Sequence, residues 1–378
     1  MMKQIIPICV PKLPLAESIF PYLQQIDTNR WYTNYGPLVC EFLARMASLF
    51  NVARTQVISA SNGTLMLELC LKAMNIPNHS LCIMPSWTFV ATPLAAVNAN
   101  LRPYFVDVEL DTQTIDPIKL EKSLPAILAT GEIGAVIAVT PFGMPVNVKA
   151  WDDFTERTGI PVIIDAAAGF DAALQLPQMK IGKTPMMISL HATKVMGIGE
   201  AAILFSQHEA LINQIECLTQ FGFPRGVRDA ECFGTNAKIS EYVGAVGLAA
   251  LDVWQETRKA WKTISDYYQT CLNEAGIEHT LTHDWVSSTC NVMLPHQAND
   301  TILNLEAAGI MARKWYGDGC HQQSVFKNAP YTDLNHTAFL AASNVGLPFY
   351  IGMEKNVIEQ VVEATAGLMN SSQKKMYA

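Results

Sequence analysis

The sequence predicts an α/β protein. A large domain carries an open, mainly parallel sheet flanked by helices, and a smaller α+β domain follows it toward the C-terminus. Three observations predict this. Short apolar runs alternate with longer helical patterns through the first two-thirds of the chain. Several runs are apolar throughout, as strands covered on both faces must be. Near Ser240 the texture changes to long helical patterns with small residues that allow close packing. A length of 378 residues suits two domains, drawn here as residues 1–250 and 251–378.

The elements follow in order. Val57-Ile58-Ser59 reads as a strand, and Gly63 to Met74 as a helix with Leu65, Met66, Leu69, Leu71 and Met74 as its apolar positions. Leu81 to Met84 is a strand, Thr88 to Asn98 a helix despite Pro93, and Tyr104 to Asp107 a strand. Ala135 to Val139 is a doubly buried strand, and Trp151 to Thr158 a helix. Val162 to Asp165, Met186 to Leu190 and Ala202 to Phe205 complete the strands. Glu241 to Leu272 reads as one or two long helices. Beyond it lie a strand-like Cys290 to Leu294 and helical patterns at Ala298 to Ala308 and Glu354 to Leu368.

Composition excludes several classes. Half the residues are hydrophobic and only 16% are charged, so there is apolar surface for a large core and for a partner subunit. That excludes a mainly disordered chain. A net charge of −8 argues against a nucleic-acid surface, which needs clustered cations; the adjacent basic pairs, Arg258-Lys259, Arg313-Lys314 and Lys374-Lys375, are scattered along the chain. The longest apolar stretch, Gly134 to Val148, is too short for a membrane span and is broken by Pro141, Gly143 and Pro145. Met1 to Pro14 carries three prolines and no long apolar segment, so no secretory signal is expected. Nine widely spaced cysteines without C-x-x-C, and eight histidines without ligand spacing, point to a reduced, cytoplasmic protein with no protein-bound metal.

Four segments carry chemistry. Lys194 follows an apolar strand in Ser189-Leu190-His191-Ala192-Thr193-Lys194 and stands among Met186, Met187, Ile188, Val195 and Met196. Most such lysines are surface groups in loops. A desolvated one loses basicity and can form a Schiff base. Asp165 ends the apolar Val162-Ile163-Ile164 and must find a cation or strong donors there, although a helix N-cap is an equal alternative. Ser61-Asn62-Gly63-Thr64 lies between a strand and a helix, where free N–H groups make an anion site or are simply capped. Gly197-Ile198-Gly199-Glu200-Ala201-Ala202 has the form G-x-G-x-x-A, but a strand pattern follows it where a dinucleotide site needs a helix. We read it as the hairpin between two strands, its small residues bringing backbone close to ligand. Gly182-Lys183-Thr184 is not a phosphate loop, because Pro177 stands where the first glycine is needed.

Taken in order, five pieces resemble a family: Gly63-Thr64, Pro85-Ser86-Trp87-Thr88-Phe89-Val90-Ala91-Thr92, Asp165-Ala166-Ala167, Ser189-x-His191-x-x-Lys194 and Gly234-Thr235-Asn236-Ala237-Lys238. Together they resemble the nucleotide-sugar aminotransferases of the DegT–DnrJ group, fold-type I enzymes of pyridoxal 5′-phosphate. The likeness runs from about Trp31 to the C-terminal helix.

The resemblance implies roles. Lys194 would hold the cofactor as a Schiff base and then shuttle a proton. Asp165 would pair with the pyridine nitrogen, and Trp87 would stack on the ring. Gly63, Thr64 and Ser189 would bind the phosphate, and Asn236 would reach the phosphate of a neighbouring subunit, giving a homodimer with a shared active site. The substrates implied are an amino donor, glutamate, and a nucleotide-linked keto-deoxysugar.

Two departures stand out. Ala168 occupies the position of a family glutamine that bonds the cofactor's phenolic oxygen, and Ala201-Ala202 replaces Gly-Gly. Ala168 motivates an alternative, a non-catalytic sensor or regulator with the same fold. A purely structural subunit would have no reason to keep Asp165 and Lys194 on one pocket. Arg313, Tyr316 and His321 fall in the segment resembling the family's C-terminal substrate region.

Overall fold

In the computed structural model, residues 5–376 are described, with the side chains of 370–376 left aside, Lys374 and Lys375 among them; Met1 to Gln4, at the start of the segment read for a secretory signal, lie outside the described residues. The large sheet has seven strands: β1 (Val57–Ala60), β2 (Leu81–Pro85), β3 (Arg102–Val106), β4 (Ile133–Val139), β5 (Val162–Asp165), β6 (Met186–Ser189) and β7 (Ala202–Phe205). Their order is β1-β7-β6-β5-β4-β2-β3. Pairing is parallel from β3 through β2, β4 and β5 to β6, while β7 runs antiparallel to both β6 and β1. The sheet is therefore mainly parallel, and the C-terminal ends of β2, β4, β5 and β6 share one edge.

Both faces are covered. Val57, Ile83, Val136, Ile164 and Ile188 pack into one apolar cluster, and Ile58, Cys82, Ile137, Ile163 and Met187 into another. Adjacent residues of one strand thus point into different cores, which is why these strands read as continuous apolar runs.

The segment Gly197 to Ala202 does belong to a connection between antiparallel strands, with Ile188 opposite Ile203. A β-carbon on Gly197 would stand 2.5 Å from the Ala192 carbonyl oxygen, so its small size serves a close approach within the connection itself.

The long pattern after Ser240 is two helices, Glu241–Asp252 and Trp254–Glu274. Ser240 caps the first, and Gly247 lets it lie against Phe42, whose ring would be 2.7 Å from a β-carbon there. The buried Glu241 carboxylate accepts Leu38 N–H at 2.8 Å and Val39 N–H at 2.9 Å. A negative group thereby satisfies the first turn of the helix Pro37–Leu49.

A small antiparallel sheet completes the fold, with β8 (Glu278–His279), β9 (Cys290–Met293) and β10 (Asn344–Leu347) in the order β10-β9-β8. The chain's start packs against this C-terminal part. Ile6 exchanges backbone hydrogen bonds with Gly309 and Met311, and Phe349 N–H donates to Ile8.

Two carboxylates tie the layers together. Asp107 accepts His336 N–H and the Thr337 N–H and hydroxyl, all at 2.8 Å. Asp171, with a fully buried side chain, pairs with Arg258 at 2.7 Å and accepts Val286 N–H at 2.8 Å.

Candidate active site

The site grows from the shared strand edge. Asp165 ends β5, is 5% exposed, and accepts the Thr92 hydroxyl at 2.7 Å and Ala167 N–H at 3.2 Å. Burial pushes its carboxyl above the usual range, while Thr92, Ala167 and the Lys194 charge pull it back. Lys194 follows β6 on a tight turn, its N–H donating to the His191 carbonyl at 2.8 Å. Desolvation lowers its ammonium below the ordinary value, and the Asp165 charge opposes that. The two groups feel each other's field but form no ion pair within 4.0 Å. No hydrogen bond to Lys194 Nζ occurs among the described residues.

The helix Gly63–Ala73 opens beside them. Asn62 Oδ1 caps Leu65 N–H at 2.9 Å, and the Gly63 and Thr64 N–H groups have no partner among the described residues. Gly63 sits against β6: a β-carbon there would lie 3.2 Å from Met187 Sδ and 3.7 Å from Ser189 Cβ. Ser189 Oγ accepts His191 N–H at 3.3 Å and keeps its own proton to donate. Gly63, Thr64 and Ser189 thus surround a place for an anion. Asn236 lies on a further segment, which reaches this cradle where Ser61 N–H donates to the Ala237 carbonyl at 2.9 Å. Asn236 itself is exposed, its Oδ1 accepting Lys238 Nζ at 2.7 Å.

An aromatic cluster closes the far side. Trp87 is 2% exposed, donates its indole N–H to Gln113 at 3.0 Å, and lies edge-on to Tyr316 with ring centres 5.2 Å apart. Tyr316 stacks on Phe142 at 4.5 Å, and its hydroxyl accepts Phe142 N–H at 3.3 Å. Phe142 is held in left-handed backbone, φ 57°, a conformation costly for a bulky residue. Burial raises the Tyr316 hydroxyl's pKa, and the Asp165 charge raises it further, so this phenol stays neutral beside the carboxylate. By contrast, Phe89 is 59% exposed.

Sequence reasoning gave Thr92 no role and named Tyr316 only as one of three residues in the C-terminal segment. Thr92 was visible as the last residue of its motif. Nothing in the sequence announces Tyr316 beyond its place in the C-terminal segment. His321 lies at the edge of β2, its Nδ1 hydrogen-bonded to the buried Ser86 hydroxyl at 2.7 Å. Arg313 lies over Trp315 at 5.2 Å. A cavity of about 550 Å³, lined by Thr155, Pro161, Lys183, Pro185 and His208, opens at the opposite edge of the sheet and includes none of the site residues.

A buried carboxylate and a desolvated amine facing one space, beside an anion cradle at a helix N-terminus, fit pyridoxal 5′-phosphate. Its ring nitrogen, carbonyl and phosphate ask for those three groups. Fold and site together define a pyridoxal-phosphate enzyme of the aminotransferase class. The chain belongs to the DegT/DnrJ/EryC1/StrS aminotransferase family, whose pattern matches residues 14–366. It is 25% identical over 369 residues to a dTDP-4-amino-4,6-dideoxy-D-glucose transaminase of Shigella dysenteriae, covering 93% of this chain and 96% of the other.

Solved structures agree. DesI, determined in the presence of its TDP-sugar product, superimposes with a TM-score of 0.86 at 26% identity, covering 99% of this chain and 95% of that one. A Bacillus cereus protein assigned to the PLP-dependent aminotransferases superimposes at 0.87 with 30% identity, covering 96% and 100%. Among the described residues no helix is long and apolar enough to cross a membrane.

Proposed function

We propose that this enzyme moves an amino group from glutamate to the keto group of a nucleotide-linked keto-deoxysugar. The observation that carries the reading is the pair of desolvated groups Asp165, which ends β5, and Lys194, on the turn that follows the adjacent β6. The sugar class is supported by the transaminase and TDP-sugar relatives.

Bound pyridoxal phosphate supplies an electron sink for the charge left on carbon when a proton departs. The chain supplies the rest. Asp165, buried and oriented by Thr92, holds a proton on the ring nitrogen. Lys194 Nζ holds the cofactor and moves a proton to and from the reacting carbon, a task suited to an amine whose pKa is lowered. Gly63 and Thr64 N–H groups and the Ser189 hydroxyl grip the phosphate, which the chain's −8 net charge does not attract. Trp87, enclosed beside Tyr316 and pinned through Gln113, supplies the aromatic cover for the ring.

In this reading the active unit is a cytoplasmic homodimer, with Asn236 serving the partner's phosphate. Phe233 at 103% exposed, with Trp31 and Phe221 about half exposed, supplies apolar surface for such an interface. The large domain, 1–250, holds the cofactor, and 251–378 contributes Tyr316 and part of the substrate pocket.

The test is spectral. Purified protein should gain visible absorbance on adding pyridoxal phosphate, and Lys194→Ala should lose it. Unaltered protein that neither carries bound pyridoxal phosphate as purified nor changes its spectrum when the cofactor is added would overturn the assignment. A regulator, which Ala168 favours, would bind the cofactor yet never convert it to the amine form with glutamate.

A further inference from the structure

Outside the site, the last turn of the helix Glu209–Thr219 and the loop that runs from it to Asn236 bring two cysteines together. Cys217 Sγ and Cys232 Sγ are 3.5 Å apart. No other cysteine hydrogen-bonds a second sulfur among the described residues, and all nine are free.

Backbone bonds bracket the pair on both sides. Gly222 N–H donates to the Cys217 carbonyl at 3.0 Å, and Glu231 N–H to the Gly222 carbonyl at 2.9 Å. On the other side Thr235 N–H donates to Leu218 at 2.8 Å, and Phe221 N–H to Thr235 at 3.0 Å. Gly222 has φ +89°, and a β-carbon there would fall 1.8 Å from the Cys232 carbonyl oxygen, so only glycine lets the two arms close this tightly. The sulfurs are therefore held near each other by the loop's own neck. Bonding them needs a movement of about 1.5 Å, to the usual S–S length.

We propose that Cys217 and Cys232 form a reversible, peroxide-oxidised dithiol that staples this loop. Cys232 is the more open thiol and Cys217 is buried, which sets the order of events. The Cys232 sulfur attacks the O–O bond of hydrogen peroxide, giving a sulfenic acid and one water. The Cys217 sulfur then displaces the sulfenic hydroxyl, which leaves with the Cys217 proton as a second water. Two thiols are oxidised and one peroxide is reduced. Burial, Cys232, Glu231 and Glu216 push the Cys217 thiol up to about 11, which suits a resolving partner that stays protonated until the sulfenic acid forms beside it. The proposal goes beyond the aminotransferase reading; it needs Cys232, next to Phe233 of the proposed interface, to stay within reach of peroxide in the assembled protein.

The experiment uses the full chain, reduced, then exposed to a slight excess of hydrogen peroxide and mapped as non-reduced peptides. The expected result is loss of two titratable thiols per chain and one peptide joining Cys217 to Cys232, both reversed by dithiothreitol. With Cys217→Ser the cross-link should vanish and Cys232 should be trapped by a sulfenic-acid reagent. Free thiols at both positions after peroxide, or a Cys232 bridge to a second chain, would overturn the proposal. Mapping of the unaltered protein decides this even if the variant fails to fold.

Discussion

Asp165 and Asn236 both came from short motifs, yet the molecule holds them in opposite ways. Asp165 ends a strand between two paired neighbours, is 5% exposed, and has two donors fixing its carboxylate. Asn236 sits on a loop beside the cradle, exposed, with Lys238 as its side-chain partner. The floor of the site is complete within one chain. The rim offers groups whose use depends on what approaches from outside. The difference separates chemistry, which must be preorganised and dry, from cofactor grip, which a second subunit can share.

The sharpest way to break that contrast is at the floor. Asp165→Asn keeps shape and removes charge, so catalysis should fall on the order of 10²–10⁴-fold with the cofactor still bound. It also removes the charge that raises Lys194, so the amine should lose its proton at lower pH than in the unaltered protein. Amine-reagent labelling of Lys194 in cofactor-free protein, followed against pH, measures this. Both inflections should lie below the ordinary 10.5, the variant's lower. Unchanged labelling would mean that the two groups do not share a pocket.

Behind the floor, Asp171→Ala should cost stability rather than chemistry. It leaves Arg258 without its 2.7 Å partner and Val286 N–H without an acceptor. Breaking such a buried pair costs about 3–5 kcal/mol, readable as a lower urea midpoint. Next in size, Trp87→Phe should cost about 1–3 kcal/mol, because Gln113 Oε1 loses its donor in a dry site. Phe89→Ala, at an exposed side chain, should leave stability within about 0.5 kcal/mol and cofactor affinity unchanged. A looser cofactor in Phe89→Ala would move the ring's cover from Trp87 to Phe89.

Much of the floor was legible because its signals are local. β4, β5 and β6 are apolar runs, and a charge ending such a run stands out, as Asp165 does. What stayed hidden lacked a local signal. The helix Ala16–Asn29 carries Pro21, and Pro117–Leu128 carries Pro125, residues that argue against helices until tertiary packing overrides them. Two aromatics stand two residues apart at 87 and 89, and periodicity does not say which is enclosed. Tyr316 comes to Phe142 from a distant part of the chain, a meeting that spacing does not encode. The rim was readable as a motif, but the partner proposed for it is outside the chain.

The smallest expected effect therefore tests the rim. Asn236→Ala should weaken cofactor binding about tenfold or less, the worth of roughly one hydrogen bond, with little change in turnover at saturation. Mixing it with Lys194→Ala separates a shared site from a private one. In a shared dimer, a hybrid of the two chains places both defects in one site and leaves the other intact. Half the hybrid's sites should then bind with unaltered affinity and give the visible absorbance. In a private arrangement every site with a working lysine also carries the asparagine defect, and no tight fraction appears. A titration of the hybrid that shows only the weakened affinity would place Asn236 in its own chain's site and move it from the rim to the floor.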